Sequence, residues 1–248
     1  MYKIGIIGCG KIAKKHIEAI KANNSKFKLI SVCDINSKKA RKLAKENNIV
    51  SYDNAEKMLQ NESVDLVVLL TPHGNHLKDY QKLSKFKKHF IIEKPLALNS
   101  NNAKKINIIS KNIKKNIFVV NQNRFNSPVK LLNKVYQKNI LGNIFLGSAL
   151  IRWRRNQKYF NQAKWRGTKK YDGGVIGNQA SHHLELLIYI LGKVKEVNAM
   201  GSRILAKKIE TMDTVIVNLK FEKNKFASIE ATTATSPKDL EGSVSFFG

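Results

Sequence analysis

Lys3-Ile4-Gly5-Ile6-Ile7-Gly8-Cys9-Gly10-Lys11-Ile12-Ala13 opens the chain, and the rest is read from it. Lys3 to Ile7 is an apolar run of strand length. A helical pattern of Ile12, His16, Ile17 and Ile20 begins inside the glycine segment that follows. A second apolar run, Phe27 to Cys33, ends on Asp34. Strand, Gly-rich turn, helix, strand and acid within one βαβ unit is the layout of a dinucleotide site.

Each part has a physical task. Gly8 permits the tight turn. Gly10 has no Cβ, so backbone can approach a pyrophosphate, and Ala13 lets the helix pack closely on the strand. The helix start, with Lys11 and Ile12, offers N–H groups and a positive dipole end to phosphates. Asp34 accepts hydrogen bonds from the ribose hydroxyls of NAD and repels a 2′-phosphate. Taken alone, Asp34 also fits a helix N-cap, since Asn36, Ser37 and a helix follow. The bland alternative for the whole stretch is a glycine turn that joins a core strand to a helix and binds nothing.

The 248 residues suit one large or two small domains, and 42 % apolar content is enough for a real core. No run approaches the ~20 apolar residues of a membrane-spanning helix. The first residues already form a strand, so no signal peptide is expected and the protein is expected in the cytoplasm. A net charge of +27 admits a nucleic-acid partner. The basic residues are mostly Lys and spread along the chain, which reads more simply as compositional bias, so neither nucleic acid nor membrane is expected as a partner. Cys9 and Cys33 lack metal or redox spacing and read as small buried residues.

Further on, apolar runs at Ile49–Tyr52, Val64–Leu70, His89–Ile92 and Ile117–Val120 alternate with helical patterns. This predicts a doubly wound parallel sheet over residues 1–123, an α/β Rossmann domain. Ligands bind at the carboxyl ends of such strands. The loops holding Thr71-Pro72, Glu93-Lys94-Pro95 and Gln122 therefore belong to one cleft with Gly8. Residues 124–248 change character. A helix at Val129–Gln137 and another at Asn178–Leu191 accompany strands at Ile144–Trp153, Val194–Ile204, Thr214–Phe221, Phe226–Thr233 and Ser243–Phe247. This predicts an α+β domain with a mostly antiparallel open sheet.

Three groups carry candidate chemistry. Pro95 stops a strand and aims Lys94 into the cleft; the alternative is a solvated lysine. In Gly173-Gly174-Val175-Ile176-Gly177-Asn178-Gln179-Ala180-Ser181-His182-His183-Leu184-Glu185, helical spacing puts Asn178, His182 and Glu185 on one face. A histidine there suits a general base, against the alternatives of a structural histidine or a metal ligand. No HExxH is present, no third zinc ligand can be placed, and no metal is expected. The His73/His76 pair reads as a loop with one ligand-facing histidine. Arg152, Arg154, Tyr159, Trp165 and Arg166 mix guanidinium and aromatic groups that suit phosphate, carboxylate or a sugar face; a basic surface loop is the alternative.

Gly8-x-Gly10-x-x-Ala13, Thr71-Pro72 with His76, Glu93-Lys94-Pro95, Gln122-Asn123-Arg124-Phe125 and the Gly-Gly…His182-x-x-Glu185 segment occur in that order. Together they resemble the Gfo/Idh/MocA oxidoreductase family over essentially the whole chain. The resemblance implies oxidation or reduction of sugar or cyclitol carbons with a nicotinamide cofactor. Asn178-Gln179-x-x-His182-His183, with Trp165-Arg166-Gly167-Thr168 before it, is similar to a subgroup, the UDP-N-acetyl-2-amino-2-deoxyglucuronate 3-dehydrogenases of surface-polysaccharide synthesis. By resemblance, His182 takes the proton of the sugar C3 hydroxyl and Lys94 hydrogen-bonds the same oxygen. Asn178 and Gln179 position substrate, and Arg152, Arg154 or Tyr159 binds its carboxylate or diphosphate. The resemblance implies an NAD site of Gly8, Gly10, Lys11, Ile12, Asp34, Thr71, Pro72, His76, Glu93, Lys94, Gln122, Trp165 and Arg166.

The usual family pattern has Asp at both 178 and 185. Relatives also continue through further strands, so the chain is expected to be truncated at its carboxyl end, and a homo-oligomer is expected where the second sheet is complete enough. Two other readings remain. One is a dehydrogenase of another sugar or an inositol. The other is a non-catalytic NAD-binding sensor or degenerate relative.

Overall fold

In the computed structural model, which describes residues 1–205 and 208–248, Ile4, Ile6 and Ile7 are all buried. A strand covered on both faces needs apolar side chains at consecutive positions, and β1 (Tyr2–Ile7) accordingly lies inside a sheet. The chain divides into two units, Met1–Val120 and Asn121–Gly248.

The first unit runs β1, α1 (Ala13–Ala22), β2 (Phe27–Cys33), α2 (Ser37–Asn47), β3 (Val50–Tyr52), α3 (Ala55–Asn61), β4 (Leu66–Leu69), α4 (His76–Leu83), β5 (His89–Ile92), α5 (Ser100–Asn112) and β6 (Ile117–Val119). Its sheet has the order β3-β2-β1-β4-β5-β6 and every pairing is parallel. The strand order reverses between β1 and β4, where doubly wound sheets open a ligand crevice. Register decides what meets there. Ile7 pairs with Cys33 on one side and Leu69 on the other, and Leu69 pairs with Ile92. Gly8, Asp34, Leu70 and Glu93 therefore leave the sheet side by side.

Two cores flank this sheet. One joins Ile4, Ile6, Ile17, Ile20 and Val32; the other joins Val67, Leu69, Tyr80, Phe90 and Ile106. Ala13 is fully buried, as close helix packing requires. Helix starts are set by side chains. Asn36 caps α2 by accepting from the N–H groups of Lys38 and Lys39, and Asn99 caps α5 by accepting from Asn102.

The second unit contains α6 (Ser127–Gln137), β7 (Leu146–Arg152), α7 (Gln157–Phe160), a π-helical turn (Val175–Ala180), α8 (Ser181–Leu191), β8 (Val194–Ser202), β9 (Thr214–Phe221), β10 (Phe226–Thr232) and β11 (Glu241–Phe247). The sheet order is β11-β7-β10-β9-β8; β10 and β7 pair parallel and the other neighbours antiparallel. β8, β9 and β10 form a meander, and β11 returns beside β7. Leu187, Ile190 and Leu191 of α8 pack against Ile151, Val217, Ala227 and Ile229 from the strands. Gly147 permits this approach: a Cβ there would lie 2.9 Å from Leu187.

One expected element differs. The sequence predicts a single helix over 178–191. The segment is instead a π turn over Val175–Ala180 joined to α8 at Ser181. Gly173 and Gly174 enter it at φ +82° and +67°, conformations open to glycine. A face assigned by 3.6-residue spacing therefore does not hold across Ala180.

Candidate functional site

In the first unit the site begins at Gly8. Its φ is +104°, and a Cβ there would fall 2.7 Å from the Leu70 carbonyl oxygen, so only glycine fits. Gly10 is different: a Cβ there would meet no atom within 4 Å. The chain's own packing makes no demand for glycine at 10, and the open space beside it is what a docking pyrophosphate needs. α1 then starts with no side-chain cap, with Lys11 and Ile12 exposed at its entrance.

Asp34 braces this turn. One carboxylate oxygen accepts the Cys9 N–H at 2.8 Å and the other accepts the Asn36 N–H at 2.8 Å. The α2 cap is Asn36, which removes the reading of Asp34 as that cap. Each carboxylate oxygen keeps a further lone pair for a hydroxyl donor. Burial, then the charge of Asp34, pushes the Cys9 and Cys33 thiols up to a pKa of about 12.

At the end of β4, Thr71 and Pro72 line the turn, and the Thr71 hydroxyl is buried without a protein partner. His76 corrects an expectation. It is not ligand-facing: it is fully buried, with Nδ1 3.0 Å from the Pro95 carbonyl oxygen and Nε2 2.9 Å from the Thr71 carbonyl oxygen. It ties together the two loops that carry the candidate residues. Burial lowers its pKa, and this outweighs the opposing pull of the two carbonyls and Asp79.

At the end of β5, Glu93 receives His16 of α1 at 2.8 Å and the Lys94 N–H at 3.1 Å. Burial pushes the Glu93 carboxyl up, but His16 and Lys94 together outweigh it and hold the group below the usual carboxylate range. Lys94 is half-buried and its bond to Pro95 is cis. Gly8, Gly10, Asp34, Thr71 and Lys94 thus stand at one end of one sheet, as a dinucleotide site requires.

In the second unit His182 and His183 part company. His183 is buried, edge-on to the Trp153 ring at 5.9 Å, and burial lowers its pKa. His182 is half-buried, with Nε2 3.1 Å from the amide nitrogen of Gln122. Gln122, expected at the cofactor, is thus brought onto the candidate base. Glu185 is bound to Arg124, whose Nε donates at 2.8 Å and whose guanidinium covers the Tyr189 ring at 4.1 Å. Asn178 donates from Nδ2 to Asp172.

Gln179 donates to the Tyr159 hydroxyl at 3.1 Å, and Arg166 lies over the Tyr159 ring at 4.0 Å while donating to the Tyr159 carbonyl. Tyr159, Arg166 and Gln179 therefore form one cluster, with Trp165 beside Arg166 in the chain. Arg152 is a correction. Its guanidinium grips Glu230 of β10 at 2.7 and 2.8 Å and reaches Glu241 of β11 at 3.2 Å. Cross-strand ion pairs occupy the fork that was expected to take a substrate anion. Arg154 likewise donates to the Thr235 carbonyl at 2.9 Å.

Two matches to family models decide the lineage. Residues 2–121 match the GFO/IDH/MocA oxidoreductase family, NAD-binding Rossmann fold, and residues 129–248 match the GFO/IDH/MocA C-terminal domain. The chain belongs to the GFO/IDH/MocA oxidoreductase family. Its cofactor is NAD, and the Gly8–Asp34 turn fits it. Among solved structures, it is similar to the WlbA dehydrogenase of Chromobacterium violaceum, crystallised with NADH and UDP-GlcNAcA: 33 % identity, TM-score 0.96, covering 100 % of this chain and 71 % of that one. The WlbA dehydrogenase of Bordetella pertussis, with the same two ligands, is 32 % identical with a TM-score of 0.95, covering 99 % and 75 %. "Oxidoreductase P35" of Formosa agariphila is 29 % identical over 78 % of this chain. The chain spans 61 % of that relative's length.

For a GFO/IDH/MocA chain, two residues stand out that the sequence did not flag. Asp172 is 2 % exposed and bonded to Asn178, and His16 is paired with Glu93. An acid directly before Gly173-Gly174 was the available signal for the first. Nothing local signalled the second, which spans 77 residues.

Proposed function

We propose that this chain carries the dehydrogenase that oxidises the C3 hydroxyl of UDP-GlcNAcA, a UDP-linked N-acetylglucosaminuronate, in surface-polysaccharide synthesis. The observation that carries this reading is the 33 % identity and TM-score of 0.96 over the whole chain to a dehydrogenase crystallised with NADH and that sugar. Asn178-Gln179-x-x-His182 supports it from this chain's own residues.

Bound NAD supplies the hydride acceptor. His182 takes the hydroxyl proton on its imidazole, whose ordinary pKa near neutrality suits a general base. The Lys94 ammonium hydrogen-bonds the same oxygen and stabilises the negative charge that develops there. Gln122 stands at the Nε2 atom of that imidazole, its amide nitrogen 3.1 Å away. Asn178 and Gln179 orient the sugar, with Tyr159 and Arg166 behind Gln179. Arg152 is engaged by Glu230 and Glu241 and is given no role in the mechanism.

The test is NADH production from NAD with UDP-GlcNAcA, UDP-linked neutral sugars, free sugars and inositols. Lys94→Ala and His182→Ala are each expected to abolish turnover while NAD still binds. Undiminished NADH production by both variants would sink the mechanism. A preference for free sugars or inositols would replace the substrate while leaving the oxidoreductase reading in place.

A further inference from the structure

Asp172 lies between the Trp165-Arg166-Gly167-Thr168 turn and the π turn, and it is 2 % exposed. A carboxylate this buried needs donors. One of its oxygens accepts the backbone N–H of Gly167, and the other accepts from Nδ2 of Asn178. The first anchor is stiff. Gly167 sits at φ +71°, and a Cβ there would come within 2.5 Å of the Ile209 side chain. The backbone N–H of Asp172 also donates to the Thr168 carbonyl at 3.0 Å.

In this contact the amide donates and the carboxyl oxygen accepts, so the NH2 end of Asn178 faces Asp172. Nδ2 turns toward Asp172, and the carbonyl Oδ1 turns the other way. A carboxylate at both positions would place two like charges in hydrogen-bond contact at a buried site. The acid at 172 and the amide at 178 are therefore one arrangement.

We propose that Asp172 is a positioning residue for the substrate. It makes position 178 meet a sugar hydroxyl as a hydrogen-bond acceptor, and it ties the Trp165–Thr168 turn to the π turn that leads into His182. This rests on the assignment of Asn178 to the substrate in the proposed function. Asp172→Asn puts opposite Asn178 an amide that can pair with either end of it. The exchange Asp172→Asn with Asn178→Asp restores the pair with donor and acceptor reversed, and position 178 again offers an acceptor oxygen.

The first test does not depend on turnover. In the ¹⁵N-labelled chain, the side-chain NH2 signals of Asn178 are assigned by their loss in Asn178→Asp. They are expected to be shifted downfield and protected from solvent exchange, and to lose both properties in Asp172→Asn. Wild-type signals at the positions of solvated amides overturn the proposal.

The second test is kinetic, with NAD and UDP-GlcNAcA. Asp172→Asn is expected to raise KM for the sugar about tenfold, because the acceptor at position 178 is no longer held toward the sugar hydroxyl and that hydrogen bond is lost. The double exchange is expected to return most of that loss. An unchanged KM in Asp172→Asn overturns the proposal, as does a double exchange that melts like the wild type and recovers nothing. Should Asp172→Asn fail to fold, the double exchange and the wild-type amide signals still decide. Failure of the wild type to oxidise UDP-GlcNAcA strikes the proposed function alone, and the amide signals then judge Asp172 without it.

Discussion

His76→Phe separates the hydrogen bonds of a buried ring from its volume. His76 is fully buried, 3.0 Å from the Pro95 carbonyl and 2.9 Å from the Thr71 carbonyl. Burial lowers its pKa, so near neutral pH the ring carries one N–H and fully satisfies one of the two carbonyls. Phenylalanine keeps the ring and removes that donor. Leaving one buried carbonyl unpaired costs about 1–3 kcal/mol. At about 4 °C per kcal/mol for a unit of this size, the melting temperature falls by about 4–12 °C. Differential scanning calorimetry of the ligand-free chain measures it. His76→Asn can still donate one N–H and is expected to recover part of the loss. A His76→Phe protein that melts within about 2 °C of the wild type refutes the argument, because the loss would then be below that of one buried hydrogen bond.

Gly8 and Gly10 should separate in a paired experiment. Gly8→Ala is expected to lose about 2 kcal/mol or more of stability, since it combines a positive φ with a backbone overlap at 2.7 Å. Gly10→Ala is expected to melt normally yet bind NAD about tenfold or more weakly, as calorimetric titration would show. His76 and His183 both have pKa values lowered by burial, so the unfolded chain binds protons more readily near the ordinary imidazole value of about 6.5. The stability they contribute is fully present above about pH 6.5 and is lost as pH falls below it; the urea midpoint should drop between pH 7.5 and about 5.5, and a flat profile would contradict this. Glu93, also lowered, adds a loss in the same direction only at pH values within and below the usual carboxylate range. Arg152→Ala should lower the melting temperature while leaving KM for UDP-GlcNAcA unchanged, because its guanidinium is engaged by Glu230 and Glu241; a raised KM would return it to the substrate site.

Much of the candidate site was legible where function and local pattern coincide. Gly8, Gly10 and Asp34 fall within one βαβ unit, so their spacing along the chain translates directly into spacing in space. The strand ends at Leu70 and Ile92 follow from apolar runs that stop at polar or proline-containing turns. His76 and Arg152 were misread for a shared reason. A histidine in a loop and an arginine ending a strand look alike whether they face ligand or protein. The partners of His76 lie 5 and 19 residues away, and those of Arg152 lie 78 and 89 away. The helical face drawn through Asn178, His182 and Glu185 failed because a π turn replaces the first turn of the helix.

The sequence by itself determined the order of elements, the dinucleotide turn and the family, since each depends on contiguous residues and their periodicity. Only the tertiary structure decided which polar side chains are already engaged. It placed His76 between two backbone carbonyls, gave Arg152 to two glutamates, set Gln122 on His182, and buried Asp172 behind Asn178. The physical reason is that a polar side chain's role is fixed by the partner it meets once water is excluded, and most of those partners come from distant parts of the chain.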